Sequence, residues 1–174
     1  VIPGSSLKGV LRSRFEAILR SIDENKVCNI FSNEDNNCIT KEQSKKLKGE
    51  EKDIKKLSEK LYDKSCEVCK LFGGKEIAGK IQIKDSYYIG EEIKYEYRDG
   101  VGIDRETGAA GGGTKGAKYD FEIVPRGTKF DFYMVVENLD DNQKKYFEVV
   151  EKLLKGELLG IEDYVSVGGK TTRG

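Results

Sequence analysis

Four cysteines are the side chains of this sequence most ready to do chemistry. Cys28, Cys38, Cys66 and Cys69 are its entire complement and read C-x9-C-x27-C-x2-C. A two-residue gap lets two thiolates reach one tetrahedral ion, and a second pair can close the site. A disulfide pair or buried thiols would use the same residues. Nothing in the sequence marks the chain for export, which disfavours disulfides. No thioredoxin-like βαβ pattern surrounds the C-x2-C, which disfavours redox work. One structural zinc ion is the expected occupant. The 174 residues contain no histidine. That removes histidine ligands together with Ser-His-Asp and Cys-His catalysis.

A second candidate chemistry is the holding of phosphate. Leu7, Val10, Leu11, Phe15, Ile18, Leu19 and Ile22 keep a 3.6-residue period, so an amphipathic helix is expected from Ser5 onward. Pro3-Gly4 is a turn signal, and Ser5 or Ser6 is expected to cap the helix. Lys8 and Arg12 stand one turn apart, away from the apolar stripe. Such a helix start suits an anion, although an ordinary capped helix with a solvated basic face has the same pattern. The closing run Gly168-Gly169-Lys170-Thr171-Thr172-Arg173-Gly174 lets backbone amides approach an anion and adds side-chain donors. A tight turn with a chance lysine and arginine would read alike. Residues 98–118 form the third element: seven of these 21 positions are glycine, with Arg98, Arg105, Lys115 and Lys118 among them.

Nucleotide-binding motifs fail on spacing. Gly169-Lys170-Thr171 could end a P-loop, but the first glycine of that motif falls at Tyr164. Gly100-x-Gly102 has Arg105 where G-x-G-x-x-G needs glycine. Gly4 to Gly9 opens a helix without the required spacing. Asp99, Asp104 and Glu106 could assist a metal or a base, but turn-forming, solvated acids are the commoner outcome.

These residues need elements to position them. After the first helix, residues 23–46 are polar and loop-like, and 47–62 suggest a surface helix with Leu47, Ile54, Leu57 and Leu61 on one face. Ile81 and Ile83 alternate with Gln82 and Lys84 in a half-buried strand within 79–89, and 93–97 extends it or starts another. Residues 98–122 read as a projecting hairpin whose glycine-rich part should be mobile. Val124-Pro125-Arg126-Gly127 is a turn, and 128–137 is a strand with Phe130, Phe132, Met134 and Val136 on one face. A helix follows, capped by Asp140 or Asp141 and ended by Gly156, burying Phe147, Val150, Leu153 and Leu154. A short strand-like piece, Tyr164 to Val167, precedes the closing loop.

The length suits one domain, 1–174, with an insertion over 23–70 holding the cysteines. Charged residues make up 36% of the chain and cancel, so nucleic-acid binding would rest on local patches. No run of about 18 apolar residues suggests a membrane span. The sequence starts at Val1 without methionine and stops after a glycine-rich turn, so it reads as an excerpt of a longer protein. With one strand added at each end the order becomes βαββαβ, an α+β ferredoxin-like arrangement whose first and last strands are truncated here.

Taken together, the residues resemble a known family. Pro3-Gly4-Ser5-Ser6-Leu7-Lys8-Gly9 with Arg12, Leu71-Phe72-Gly73, and Lys80-Ile81 to Asp85 look like the RAMP superfamily of CRISPR-associated proteins. So do Val101-x-Ile103-Asp104-Arg105-x-Thr107 with Ala109-Ala110, Pro125-x-Gly127-Thr128-x-Phe130, and Gly168 to Gly174. The match is closest to the repeated backbone subunit of type III effector complexes. The resemblance implies an RNA-recognition-like fold, with copies of the chain aligned along a guide RNA beside other type III subunits in a cytoplasmic antiviral ribonucleoprotein. Ser5, Ser6, Lys8, Arg12 and the loop Gly168, Gly169, Lys170, Thr171, Thr172, Arg173 would hold the guide. The hairpin, with Arg98, Arg105, Lys115 and Lys118, would act as a thumb across the guide–target RNA duplex. Members often carry zinc in the insertion. In members that cut target RNA, a process that would call for Mg²⁺, the implicated aspartate precedes the Pro-Gly-Ser-Ser segment and would lie upstream of Val1. Two alternatives remain: an endoribonuclease of the same superfamily that processes guide RNA, whose usual histidine base is missing, and a nucleotide-binding enzyme.

Overall fold

The computed structural model describes residues 1–29, 37–111, 118–157 and 167–168. Among these residues the fold is α+β with two small antiparallel sheets. It comprises two compact units: Ile2–Asp85 with Phe132–Gly174, and Val1 with Ser86–Asp131.

The larger unit is built around helix α1, Gly4–Ile22. Leu11, Phe15 and Leu19 recur at four-residue spacing and are buried, while Ile22 is 73% exposed, so the stripe ends a turn before the helix does. The expected serine cap does not form. The helix starts one residue earlier, Ser5 and Ser6 are exposed in its first turn, and no side chain of the N-cap residue, Pro3, bonds its amides. The Gly4 amide donates instead to Asp85 Oδ1 at 2.8 Å, a cap delivered from across the fold. Glycine is required there: a Cβ on Gly4 would lie 2.2 Å from the Ile83 carbonyl oxygen.

Thr40, not a residue near 47, starts the next helix, α2, Lys41–Glu50, through a reciprocal capping box with Gln43. Residues 47–62 are therefore not one helix. Asp53 accepts from the Lys55 and Lys56 amides and begins α3, Ile54–Asp63, after a break at Glu51–Asp53. Of the expected apolar face Leu61 is buried and Leu47 and Leu57 are half-buried, whereas Ile54 is 80% exposed. Helix α4, Glu67–Phe72, starts at Cys66 and buries Val68, Cys69, Leu71 and Phe72.

Strand β1, Ile81–Ile83, pairs antiparallel with β4, Met134–Val136, in the register Ile81↔Val136. Ile81 faces the core and Gln82 faces out, as the alternation predicts. The long strand expected over 128–137 is shorter: Phe132 is 47% exposed, and only 134–136 lie in the ladder. Its alternation serves two pairings, because Phe130 bridges Tyr88 instead. Helix α5, Asp141–Lys155, has Asp140 and Gln143 in a capping box and ends at Gly156, whose φ of 67° places it in the left-handed region. Its Val150 and Leu153 are buried, whereas Leu154 is exposed. Leu11, Phe15, Val68, Leu71, Phe72, Ile81, Val150 and Leu153 thus form one core of α1, α4, β1 and α5. Phe15 packs on Phe72 at 5.7 Å and edge-on to Tyr146 at 6.4 Å between ring centroids.

The smaller unit holds a hairpin of β2, Glu96–Val101, and β3, Lys118–Ile123, in register from Glu96↔Ile123 to Val101↔Lys118. Beyond Val101 the chain folds back early. Ile103 bridges Ala110, and the Asp104 carboxylate accepts from the Glu106 and Thr107 amides. The turn itself spans Asp104–Gly108, Gly108–Gly111 return along 102–104, and 112–117 lie outside the described residues. The turn at Pro125–Thr128 forms as expected, with Gly127 at φ 89°.

Gly4→Ala should destabilise the protein by about 1–3 kcal/mol or more, because backbone atoms of residues 83 and 84 must move. Urea unfolding followed by circular dichroism measures this; an unchanged midpoint would show that the close approach of α1 to β1 is not required.

Candidate functional site

The four cysteines converge from three stretches of chain. Cys28 follows a 3₁₀ turn, Glu24–Lys26, at the end of α1, anchored by buried Val27. Cys38 sits just before the Thr40 cap of α2. Cys66 is the N-cap of α4, and Cys69 lies within that helix. Burial of Val68, Leu71 and Phe72 fixes the pitch of α4 and therefore the direction of its sulfurs.

All four Sγ atoms lie within 4.8 Å of one another. Cys28 and Cys69 sulfurs are 3.6 Å apart, and those of Cys38 and Cys69 are 3.8 Å apart. A tetrahedral Zn²⁺ with Zn–S of about 2.3 Å sets its sulfurs roughly 3.8 Å apart. A disulfide needs about 2.05 Å, and all four cysteines are free thiols. The set can hold one metal ion such as zinc. Four soft sulfur donors suit zinc, and they leave no open position on a tetrahedral ion.

The sulfurs lie close enough to shift one another's titration. Hydrogen bonding from Cys38 pulls Cys28 down to about 7, with a further lowering contribution from Cys69. Hydrogen bonding from Cys28, then Cys38 and Cys69, pulls Cys66 well below the ordinary thiol range. Cys38 and Cys69 are pushed up, each first by its hydrogen bond with Cys28. Cys28 and Cys66 are thus shifted down and Cys38 and Cys69 up, and the Cys66 amide donates to Cys38 Sγ at 3.2 Å. A cation would let the remaining protons leave. Among the described residues no other group of three or more Cys, Asp or Glu could hold a metal. Asp104 serves its turn, and Asp99 pairs with Lys118 at 2.9 Å.

The expected phosphate-binding residues separate. Ser5 and Ser6 are exposed on α1, and Lys8 is half-buried, its pKa lowered by burial and then by Arg12. Arg12 is not on a solvated face. Its side chain is 17% exposed and bonds Glu16 Oε1 at 2.8 Å and the Gly73 carbonyl at 2.7 Å. The Asp85 carboxylate stands where the first turn of α1 would receive an anion. Arg98 and Arg105 are exposed on the hairpin, as is Lys118. Gly168 has φ 118°, while Lys115, Gly169, Lys170, Thr171, Thr172 and Arg173 lie outside the described residues, as does the strand-like piece up to Ser166. Sequence reasoning missed Glu16 and Arg20, and it quoted Asp85 only within the resembling segment, without its capping role. The four-residue spacing of Arg12, Glu16 and Arg20 was the available signal; Asp85, 81 residues from Gly4, gave none.

No described helix is long and apolar enough to cross a membrane. A family model described as the RAMP superfamily matches residues 1–174, the whole chain. No curated protein gives a significant match.

Metal retention should depend on pH with a defined sign. Cys28 is lowered, so its thiolate is present above about 7 and is lost as pH falls through that value. Metal bound at about pH 8 should therefore dissociate progressively toward about pH 5 as protons reclaim the sulfurs. Dialysis at stepped pH with metal analysis tests this; retention unchanged across the range would overturn the expected release.

Proposed function

Because the chain belongs to the RAMP superfamily, whose CRISPR-associated members bind RNA, we propose that it is the repeated backbone subunit of a type III effector complex. In this role it binds guide RNA and displays it for pairing with target RNA. Copies of the chain and other effector subunits are its partners, in a cytoplasmic antiviral ribonucleoprotein. The observation that carries this reading is the β2–β3 hairpin. From Glu96 to Ala110 every residue but Gly100 is exposed, including Arg98, Arg105, Tyr97, Val101 and Ile103. A segment that buries so little gains its ordering energy from a partner. Exposed arginines beside aromatic and aliphatic side chains suit a nucleic-acid backbone and its bases. The order α1, β1, hairpin, β4, α5, with β1 antiparallel to β4, supports a ferredoxin-like core. The absence of histidine from the sequence weighs against the guide-processing nuclease.

Contacts to the guide are assigned to Ser5, Ser6 and Lys8 on α1, to Gly168–Arg173, and to Arg98, Arg105, Lys115 and Lys118 on the thumb. These contacts are to phosphates, since a guide-holding subunit must accept any spacer sequence. Replacing Arg98 and Arg105 by alanine should weaken binding equally for unrelated single-stranded RNAs and reduce the salt slope by about 1.4. Loss confined to one RNA sequence would indicate base reading, and crosslinking to ATP but not RNA would favour a nucleotide-binding enzyme.

The cysteine cluster, in the same reading, holds one structural zinc ion through Cys28, Cys38, Cys66 and Cys69. The bound ion would supply the cohesion that α2 and α3 lack, since each buries only one residue, Ser44 and Leu61. Metal analysis should find one zinc per chain, lost when all four cysteines become serine; a wild-type chain without zinc would end this assignment.

A further inference from the structure

Arg12, Glu16 and Arg20 stand at four-residue spacing on α1 and share one face. That row runs beside the cysteine cluster. Arg12 Nη2 donates to Cys69 Sγ at 3.5 Å, and its Nη1 donates to the Gly73 carbonyl at the end of α4. Arg20 Nη2 donates to the Cys28 carbonyl at 3.1 Å. Glu16 sits between them, 2.8 Å from Arg12 and 3.9 Å from Arg20. One helix face therefore reaches both the C-x2-C pair and the segment that supplies Cys28.

We infer that Arg12 is a positioning residue of the metal centre: it donates to the Cys69 sulfur, offsets the excess negative charge of the ligated thiolates, and is held in place by Glu16. Four thiolates around a divalent ion leave a net charge of about −2, which a half-buried site must balance. A guanidinium suits the task because its planar fork serves three acceptors at once: a carboxylate, a carbonyl and a sulfur. The Gly73 carbonyl lies at the end of a helix, where backbone acceptors lack intrahelical partners, so the same side chain also closes α4. Arg12 thus faces protein acceptors, and the phosphate contact expected of α1 falls to Lys8. Outer groups of this kind orient sulfur ligands and tune how firmly the ion is held.

The inference rests on the zinc reading above, and the experiment separates the two. Full chains of wild type, Arg12→Met and Arg12→Lys are titrated with Zn²⁺ against a chromophoric chelator, and with Co²⁺ as a spectroscopic probe. Arg12→Met should lose about 10–100-fold in zinc affinity. It should also release zinc at a higher pH, because without the cation thiolates form less readily. Arg12→Lys, which keeps the charge but not the fork, should restore most of the pH shift and less of the affinity. Unchanged zinc affinity and release pH in Arg12→Met would overturn the inference, even if that variant were less heat-stable. Where Arg12→Met fails to fold, Arg12→Lys decides: an unaltered sulfur-to-cobalt band with wild-type zinc affinity overturns it. A wild-type chain that takes up neither ion overturns the zinc reading and this inference together.

Discussion

The packing of α1 against α4 is the contact on which the rest of the larger unit depends. Phe15 and Phe72 meet in the core, and Leu11, Leu19, Val68 and Leu71 close around them. Helix α4 has only six residues, too few to persist alone, so this burial determines that it forms. Cys66 and Cys69 are placed by it. Apolar surface, which carries no charge penalty, thereby holds together sulfurs that repel one another as thiolates. The core and the cysteine cluster are therefore one construction problem, solved by a single helix that is apolar on its inner side and thiol-bearing at its start.

A second tie joins the same unit through polar atoms. Gln143, 1% exposed, donates to the Tyr62 hydroxyl and accepts from Lys80 Nζ at 2.6 Å, while Lys80 lies over the Tyr62 ring at 5.0 Å. The Gln143 side chain also completes the α5 capping box. This network fastens α3, which buries little of its own, to β1 and α5.

What could be read from sequence was what neighbouring residues decide. The α1 period, the Asp140 cap, the Gly156 stop and the cysteine spacing are local patterns, and the structure contains each of them. Asp53 carried a readable helix start, yet the evenly mixed Lys and Glu around it made 47–62 look continuous. Partners distant in sequence were illegible: Asp85 capping Gly4, and Gly73 and Cys69 turning Arg12 inward. The strand over 128–137 failed for a related reason. Its alternation is real, but the stretch from Ile83 to Tyr88 is one residue longer than that from Phe130 to Met134, so a single ladder cannot serve both pairings.

The hairpin has a consequence for solubility. Among the described residues the ladder has two strands, which leaves an open edge on each, and open edges invite pairing with the strands of other chains. Here the two strands carry Glu96, Arg98, Asp99, Lys118, Asp120 and Glu122, with Asp99 and Lys118 in an ion pair. Stacking one such edge on another would bring charges of both signs out of water without ordered partners. The alternating charges thus act as gatekeepers: they keep an exposed β-ribbon from becoming a seed for edge-to-edge aggregation.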